Sequence, residues 1–408
     1  MLTRKDVKMN IEKVSPEMIE KLIENTAETP VMYIALGTEP KREHPYNLYS
    51  DIVNQPQHIE KTIEMNRDKV RKIAKKIMDI EPEKIIFTGI GTSYYLAIAA
   101  AQGFSNISMF PAEHVDSFEM LCNSRSYNLK KTVIISCSAS GETKDTIDTI
   151  DYFKEKVAYT IAVVNKLGKI TTICDDTILG DGYDTGGSDT LVYTTRLAAL
   201  YLLGIELGCL RGQPRDKMEA IRNQLYGVSS SVKKIFDSLD FRIKEIAGRY
   251  KDKRAYIFIG SGPNFPTALE ASLKMDEIAH IPSKGITVAR HLHGVIGLSN
   301  EEIVTVFFGS PGKSYERMID AVKVSNLCGS PTISFVWEDD KQISKLTDDT
   351  FRLPGKIDEV ISPLLFILPA QLLAYYSGVL KGLNPDCQRS NIPRYARAWF
   401  QAFPLGTH

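Results

Sequence analysis

The chain has no excess charge of either sign: 50 Lys and Arg balance 50 Asp and Glu across 408 residues, for a formal net charge of zero. Proteins that grip nucleic acid concentrate positive charge to displace counterions, so nucleic acid is not an expected partner. Cysteine is sparse as well. The six residues Cys122, Cys137, Cys174, Cys209, Cys328 and Cys387 are scattered, with no C-x-x-C pair. That pattern is no disulfide framework in so long a chain, and it reads as buried small hydrophobes in a reducing compartment. The N-terminus alternates charged with apolar residues and lacks the continuous apolar core of a signal peptide. A cytoplasmic protein is therefore expected. Only residues 360–380 run without a charged side chain for 21 positions, long enough to cross a bilayer. This run stands alone and holds Pro363, Pro369, Gln371, Ser377 and two tyrosines, so it reads as a buried core helix and no membrane is expected.

What is present fits a soluble globular protein, with 43% hydrophobic and 25% charged residues. The length exceeds one comfortable core and implies two lobes. A helical pattern over 57–80 places Ile59, Ile63, Val70, Ile73 and Ile77 on one face. Strands at 85–87, 133–135 and 160–164 then alternate with helices at 94–103, 143–154 and 189–207. The charged stretch 213–253 reads as a helical connector. The alternation resumes with strands at 255–259, 303–308 and 331–336 and helices at 264–280 and 315–327. Such β–α alternation predicts an α/β fold, each lobe a parallel sheet flanked by helices. The expected division is an N-terminal segment 1–55, a first lobe 56–212, the connector 213–253, a second lobe 254–385 and a tail 386–408.

The halves share a junction. Gly89 to Ala97 and Gly260 to Ala268 both read G-x-G-x-x-[FY]-x-x-A, each after a strand and opening a helix, as expected of two copies of one unit. The motif is not a dinucleotide fingerprint. Tyr94 and Phe265 stand where the third glycine belongs, and no acidic residue follows in the usual context.

The better anion site is Ser138-Ala139-Ser140-Gly141-Glu142-Thr143, between an apolar strand and a helix start. A helix N-terminus offers unpaired N–H groups and partial positive charge, and small hydroxyl residues let a phosphate approach. Ordinary serine capping is the alternative. The second lobe's junction loop is poorer in donors because Pro263 has no N–H, which points to a single phosphate site, in the first lobe.

Helix 264–280 carries Glu270, Lys274 and Glu277 at spacings of four and three, on one face. Either this is a solvated ion-pair ladder, or Glu277 beside Lys274 moves protons between adjacent carbons of a bound sugar. His280, His291 and His293 lie within fourteen residues. No third ligand at a diagnostic spacing supports a metal. A structural histidine and a ring-opening acid or base both remain open.

Taken together and in order, these residues resemble the double sugar-isomerase (SIS) family, over roughly 50–395. The similarity is to the isomerase half of glucosamine-6-phosphate synthases and to related deaminases and deglycases. Gly91-Thr92-Ser93-Tyr94 resembles the family's sugar-contacting loop, and 138–143 its S-x-S-G-E-T phosphate loop. Residues 268–278 are similar to the A-L-E-x-x-L-K-x-x-E-I helix, whose last glutamate, here Glu277, the resemblance makes the base with Lys274 beside it. His293-Gly294, sixteen residues on, matches the H-G pair. The resemblance gives this histidine a part in ring opening at a neighbouring subunit's site, hence a homodimer. Residues 368–376 match the I-P-L-Q-L-L-A-Y helix. Gly187 and Ser261 fall in loops that the resemblance assigns to substrate. It implies no metal and no organic cofactor.

The departures shape the expected reaction. A synthase has an N-terminal glutaminase with a cysteine after the initiator Met, and here Leu2 stands there. The Schiff-base lysine of the synthase tail is matched by Pro393, with Arg394 adjacent; neither forms that bond. Asp184 to Leu191 replaces the segment E-x-G-V-A-S-T-K, so both its acid and its lysine have changed. A substrate that already carries nitrogen does not need the lysine. The expected chemistry is amine release at C1–C2 of an amino-hexose phosphate. The alternatives are aldose–ketose isomerisation and phosphosugar binding without turnover.

Overall fold

The computed structural model describes residues 16–28, 30–126 and 129–403. The N-terminal stretch 1–15 and tail residues 404–408 discussed above lie outside them. Two five-stranded parallel sheets organise the chain. The first contains β1 (Lys84–Gly89), β2 (Ala112–Asp116), β3 (Thr132–Cys137), β4 (Tyr159–Val164) and β5 (Asp176–Leu179), in the order β2-β1-β3-β4-β5. The second contains β6 (Ala255–Ile259), β7 (Ser283–Ile286), β8 (Ile303–Gly309), β9 (Thr332–Trp337) and β10 (Asp349–Leu353), in the order β10-β9-β8-β6-β7. Counted within its own lobe, each sheet reads 2-1-3-4-5. In that order the winding reverses between the first and third strands and leaves a crevice at their carboxyl ends.

The repeat extends to the junction. A Cβ on Gly89 would lie 2.7 Å from the Ser93 backbone, and one on Gly260 would overlap the Asn264 carbonyl. Gly91 and Gly262 adopt φ of +56° and +55°, where a side chain is strained. In both lobes the helix start is pressed onto the strand end, and only glycine fits.

Each lobe also buries one largely apolar helix. Leu191–Leu210 packs on helix Gln55–Ile80, and Pro363–Leu380 packs on helix Val228–Tyr250. Both apolar helices are long and apolar enough to cross a membrane, and the apolar windows are 100% and 94% buried inside the protein. The expectation for 360–380 is met: it is a core helix. The stretch 213–253 is more than a connector. Val232, Ile235, Ile243 and Ile246 of helix Val228–Tyr250 are buried in the main core.

Three expectations need correction. The sequence reading has three strands per lobe and lacks β2, β5, β7 and β10, which are the four sheet edges. The helix expected over 264–280 is α-helical only over Phe265–Lys274 and continues as a π-helical turn, Met275–Ala279. Cys137 and Cys387 are buried as expected, but Cys122 and Cys209 are exposed.

The C-terminal segment returns to the N-terminal one. The Asp386 carboxylate accepts from the Tyr33 hydroxyl at 3.0 Å and from the backbone N–H groups of Asn47 and Leu48 at 3.0 and 2.8 Å. Burial raises its pKa first, and these donors pull it back.

Candidate functional site

The site grows from the contact between the lobes. Helix Thr92–Ile107 of the first lobe, rich in alanine, lies against helix Phe265–Lys274 of the second. This brings the start of one helix to the end of the other. Lys274 Nζ donates to Glu277 Oε2 at 2.7 Å and to Thr92 Oγ1 at 3.2 Å, and stands 3.4 Å from Glu270 Oε1. Thr92 Oγ1 also lies 3.3 Å from Glu270 Oε1. The side chains of Lys274 and Glu270 are fully buried, while Glu277 keeps 26% of its surface. A solvated ladder is therefore ruled out. Glu277 alone of the three reaches solvent, from a π-helical turn of the kind that often marks functional positions.

Electrostatics separates the two carboxylates. Burial pushes the Glu270 carboxyl up to about 8, against the pull of Lys274. Burial also disfavours the Lys274 ammonium, but Glu270, Glu277 and Asp189 outweigh it and the net direction is up. With Glu270 protonated, one ammonium faces one carboxylate, Glu277, and the buried cluster is close to neutral.

Ser93 extends the cluster to a residue that sequence reasoning missed. Arg196 is fully buried and donates through Nη1 to Ser93 Oγ at 2.8 Å and through Nε to the Val192 carbonyl at 2.8 Å. Its Nη2 lies 3.7 Å from Asp189 Oδ2. Among the described residues, Arg196 Nη2 and Glu270 Oε2 are buried polar atoms without a hydrogen-bond partner. The available signal was an arginine inside a largely apolar helix, since a guanidinium is rarely buried without a task.

The loop after β3 is built from its own hydroxyls. Ser138 Oγ pairs with Thr143 Oγ1 at 3.0 Å and accepts from the Gly141 N–H, and Ser140 Oγ accepts from the Glu142 N–H. The Ala139 carbonyl accepts from Asn165 and Lys166 N–H, and Glu142 Oε1 from Lys169 N–H. No side chain caps the helix Lys144–Phe153. The serine-capping alternative therefore fails, and the first-turn N–H groups stay available to an anion.

The remaining expected residues lie apart. Gly187 sits against the Asp386 backbone, and its carbonyl accepts from Gln388 Nε2 at 2.6 Å, so it anchors the tail. Ser261 Oγ accepts from Val288 N–H at 3.1 Å. Asp184 accepts from the N–H groups of Thr190, Leu191 and Val192 and so caps the helix Leu191–Leu210. His291 is buried on Ser325, and His280 turns back on the Asp276 carbonyl in a left-handed conformation. His293 is exposed beyond the short helix Val288–Leu292, on the connection from β7 to β8.

With this geometry in view, comparison with known proteins is informative. The family model described as SIS domain matches residues 80–178 and 250–381. A glutamine--fructose-6-phosphate aminotransferase (isomerizing) of Thermococcus kodakarensis is 32% identical, over 89% of this chain and 60% of its own length. The chain thus spans less than two thirds of that relative. Among solved structures, the C-terminal domain of glucosamine-fructose-6-phosphate aminotransferase from Francisella tularensis matches with a TM-score of 0.75 at 21% identity, covering 85% of this chain and 99% of that one. A glucosamine-6-phosphate deaminase from Thermotoga maritima matches with a TM-score of 0.66 at 17% identity, covering 84% and 97%. At these identities the two structures establish the fold alone.

Proposed function

The chain belongs to the SIS domain family, and from that premise we propose that it releases the amine from an amino-hexose phosphate by proton transfer between C1 and C2. The observation that carries this reading is Glu277. It is a partly exposed carboxylate held 2.7 Å from a buried ammonium, beside Thr92 at the crevice of the first sheet.

The first lobe, 56–212, holds the sugar phosphate. Ser138, Ala139, Ser140 and Thr143 present the helix N-terminus to the phosphate, and Gly91, Thr92 and Ser93 face the hydroxyls. The second lobe, 254–385, supplies the base, with Ser261 and Gly187 shaping the surrounding loops. His293 assists ring opening from a second copy of the chain, which fits its exposure and its place on a different connection from Glu277. The enzyme then works as a cytoplasmic homodimer.

The chemistry is ordinary acid–base catalysis. His293 helps open the ring. Glu277 removes a proton from the carbon next to the carbonyl or imine carbon and returns it to its neighbour through a 1,2-enaminol. Lys274 holds the Glu277 carboxylate in place and Thr92 close to the reacting oxygen. Water adds to the resulting imine, the C–N bond breaks, and the amine leaves with a proton. From glucosamine 6-phosphate the products are fructose 6-phosphate and ammonia. From a 6-phosphofructosyl amine they are glucose 6-phosphate and the free amine. Neither route uses a lysine Schiff base, which accords with Pro393, the first residue of helix Pro393–Ala402, at that position.

The test follows ammonia and fructose 6-phosphate together on glucosamine 6-phosphate, and amine with glucose 6-phosphate on a 6-phosphofructosyl amine series. Stoichiometric release from either, abolished by Glu277→Gln, is the expected result. Interconversion of glucose 6-phosphate and fructose 6-phosphate without amine release would replace the proposal with simple isomerisation, and no turnover on any substrate would leave a binding protein.

A further inference from the structure

The cavity that borders Glu277 is larger than ammonia requires. It measures about 510 Å³, against roughly 30 Å³ for a molecule the size of water, and falls in the range of small-molecule pockets. One wall comes from the π-helical turn, with Asp276, Glu277 and His280; the other comes from the C-terminal segment, with Gln388, Arg389 and Tyr395.

The tail wall is positive and fixed in place. Arg389 Nη1 donates to the Tyr395 hydroxyl at 2.7 Å, and its guanidinium lies 5.2 Å from that ring's centre. Among the described residues Arg389 has no carboxylate partner, whereas Arg249 and Arg397 each have one. Lys381 and His280 stand close enough to Arg389 to feel its charge. Two neighbouring residues, Gln388 and Arg389, take φ of +45° and +63°, a conformation disfavoured for both and kept only where the surroundings enforce it. The enforcing contacts are visible. Gln388 Nε2 donates to the Gly187 carbonyl and Ser188 Oγ, and Ser390 Oγ accepts from the Met32 N–H. The chain thus holds an unpaired, half-buried guanidinium over the pocket at the expense of backbone preference.

We infer that this pocket is the leaving-group subsite and that Arg389 binds the carboxylate of an α-amino acid joined to the sugar through its amine. This rests on the amine-release reading above and narrows its substrate class. The amine nitrogen must lie at the carbons that Glu277 serves. In an α-amino acid the carboxylate follows one carbon later, and Arg389 lines the same cavity as Glu277. A guanidinium fork matches a carboxylate through two parallel N–H donors. Because the tail is already anchored at Gln388 and Ser390, little ordering is needed on binding.

The experiment uses two probes that differ in charge alone: 6-phosphofructosyl glycine and 6-phosphofructosyl glycinamide. Their binding to the full chain carrying Glu277→Gln, which keeps them intact, is measured by calorimetry. The glycine adduct is expected to bind at least about tenfold more tightly. Arg389→Met in that background should erase the difference, and Arg389→Lys should keep part of it. Equal affinities, or equal weakening of both probes by Arg389→Met, would overturn the subsite. Its failure is separable from failure of the reaction. Amine release by the unsubstituted chain with no preference between probes removes the subsite and leaves the reaction. A preference that Arg389→Met erases, with no amine released from either probe, removes the reaction and leaves the subsite.

Discussion

The two lobes share a strand order, a glycine pair at the same φ and an apolar helix in the same place, yet they differ at the loop after the third strand. In the first lobe that loop is Ser138–Thr143, a hydroxyl-lined turn whose helix start is uncapped. In the second it is Ser310 to Ser314, and there the Glu359 carboxylate lies so close that a Cβ on Gly312 would overlap it. Burial raises the pKa of Glu359. The turn equivalent to the hydroxyl-lined loop of the first lobe thus carries the chain's own carboxylate. The sequence expectation of one phosphate site rested on Pro263 in the junction loop; the lobes also differ in structure, through the Glu359 carboxylate beside Gly312. A repeated fold thus gives two equivalent crevices, and an acidic side chain lies at the turn of the second where the first has hydroxyls.

The largest effect that separates the lobes is expected at Glu277. Glu277→Gln should lower kcat by about 10²–10⁴-fold with little change in sugar-phosphate affinity, read by steady-state kinetics beside calorimetry. A parallel loss of affinity would make Glu277 a binding group instead. Next comes Lys274, whose removal leaves its carboxylates without a cation. Lys274→Met should lower stability by about 3–5 kcal/mol, with part of it restored by adding Glu277→Gln, which removes the carboxylate that Lys274 pairs; denaturant melts on the two variants check this. Replacing Ser138 and Thr143 together by alanine should raise KM for any sugar phosphate by about tenfold or more, at about 1.5 kcal/mol or more for each hydrogen bond to a charged group, with kcat nearly unchanged.

A smaller effect concerns pH. The Glu270 carboxyl is raised from 4.5 to about 8 in the folded chain, so the folded state binds the proton that the unfolded state has released. The stability this contributes is full below about 4.5 and is lost as pH rises through about 8. Glu270→Gln should flatten melting temperature against pH across that window, and an unchanged slope would place the titration elsewhere. The smallest expected effect is the control in the second lobe. Glu359→Gln should leave sugar-phosphate affinity within about twofold; a new second binding event in calorimetry would instead show that the carboxylate alone blocks that crevice.

How much of this was legible depended on where each residue stood. The six central strands are fully or almost fully buried apolar runs such as TVIISC and TISFVW, and a parallel strand buried on both faces announces itself that way. The four edges read AEHVD, DTIL, SKGI and DTFRL, short and polar as edges are, and local pattern did not distinguish them from loops. Glu277 and Lys274 were legible because they share a helix. Arg196 was not, because its partner Ser93 lies 103 positions away.

The sequence alone determined the α/β alternation, the repeated glycine junction, the hydroxyl-rich turn 138–143 and the spacing of Glu270, Lys274 and Glu277 on one helical run. Each is written in neighbouring residues through turn chemistry, burial and helical spacing. Only the tertiary structure decided that Glu270 and Lys274 are buried rather than solvated, that Arg196 reaches Ser93, that Glu359 lies beside Gly312 and that Arg389 faces the pocket beside Glu277. Those facts depend on desolvation and on charges meeting across long stretches of chain, and neither is set until the two lobes and the tail have packed.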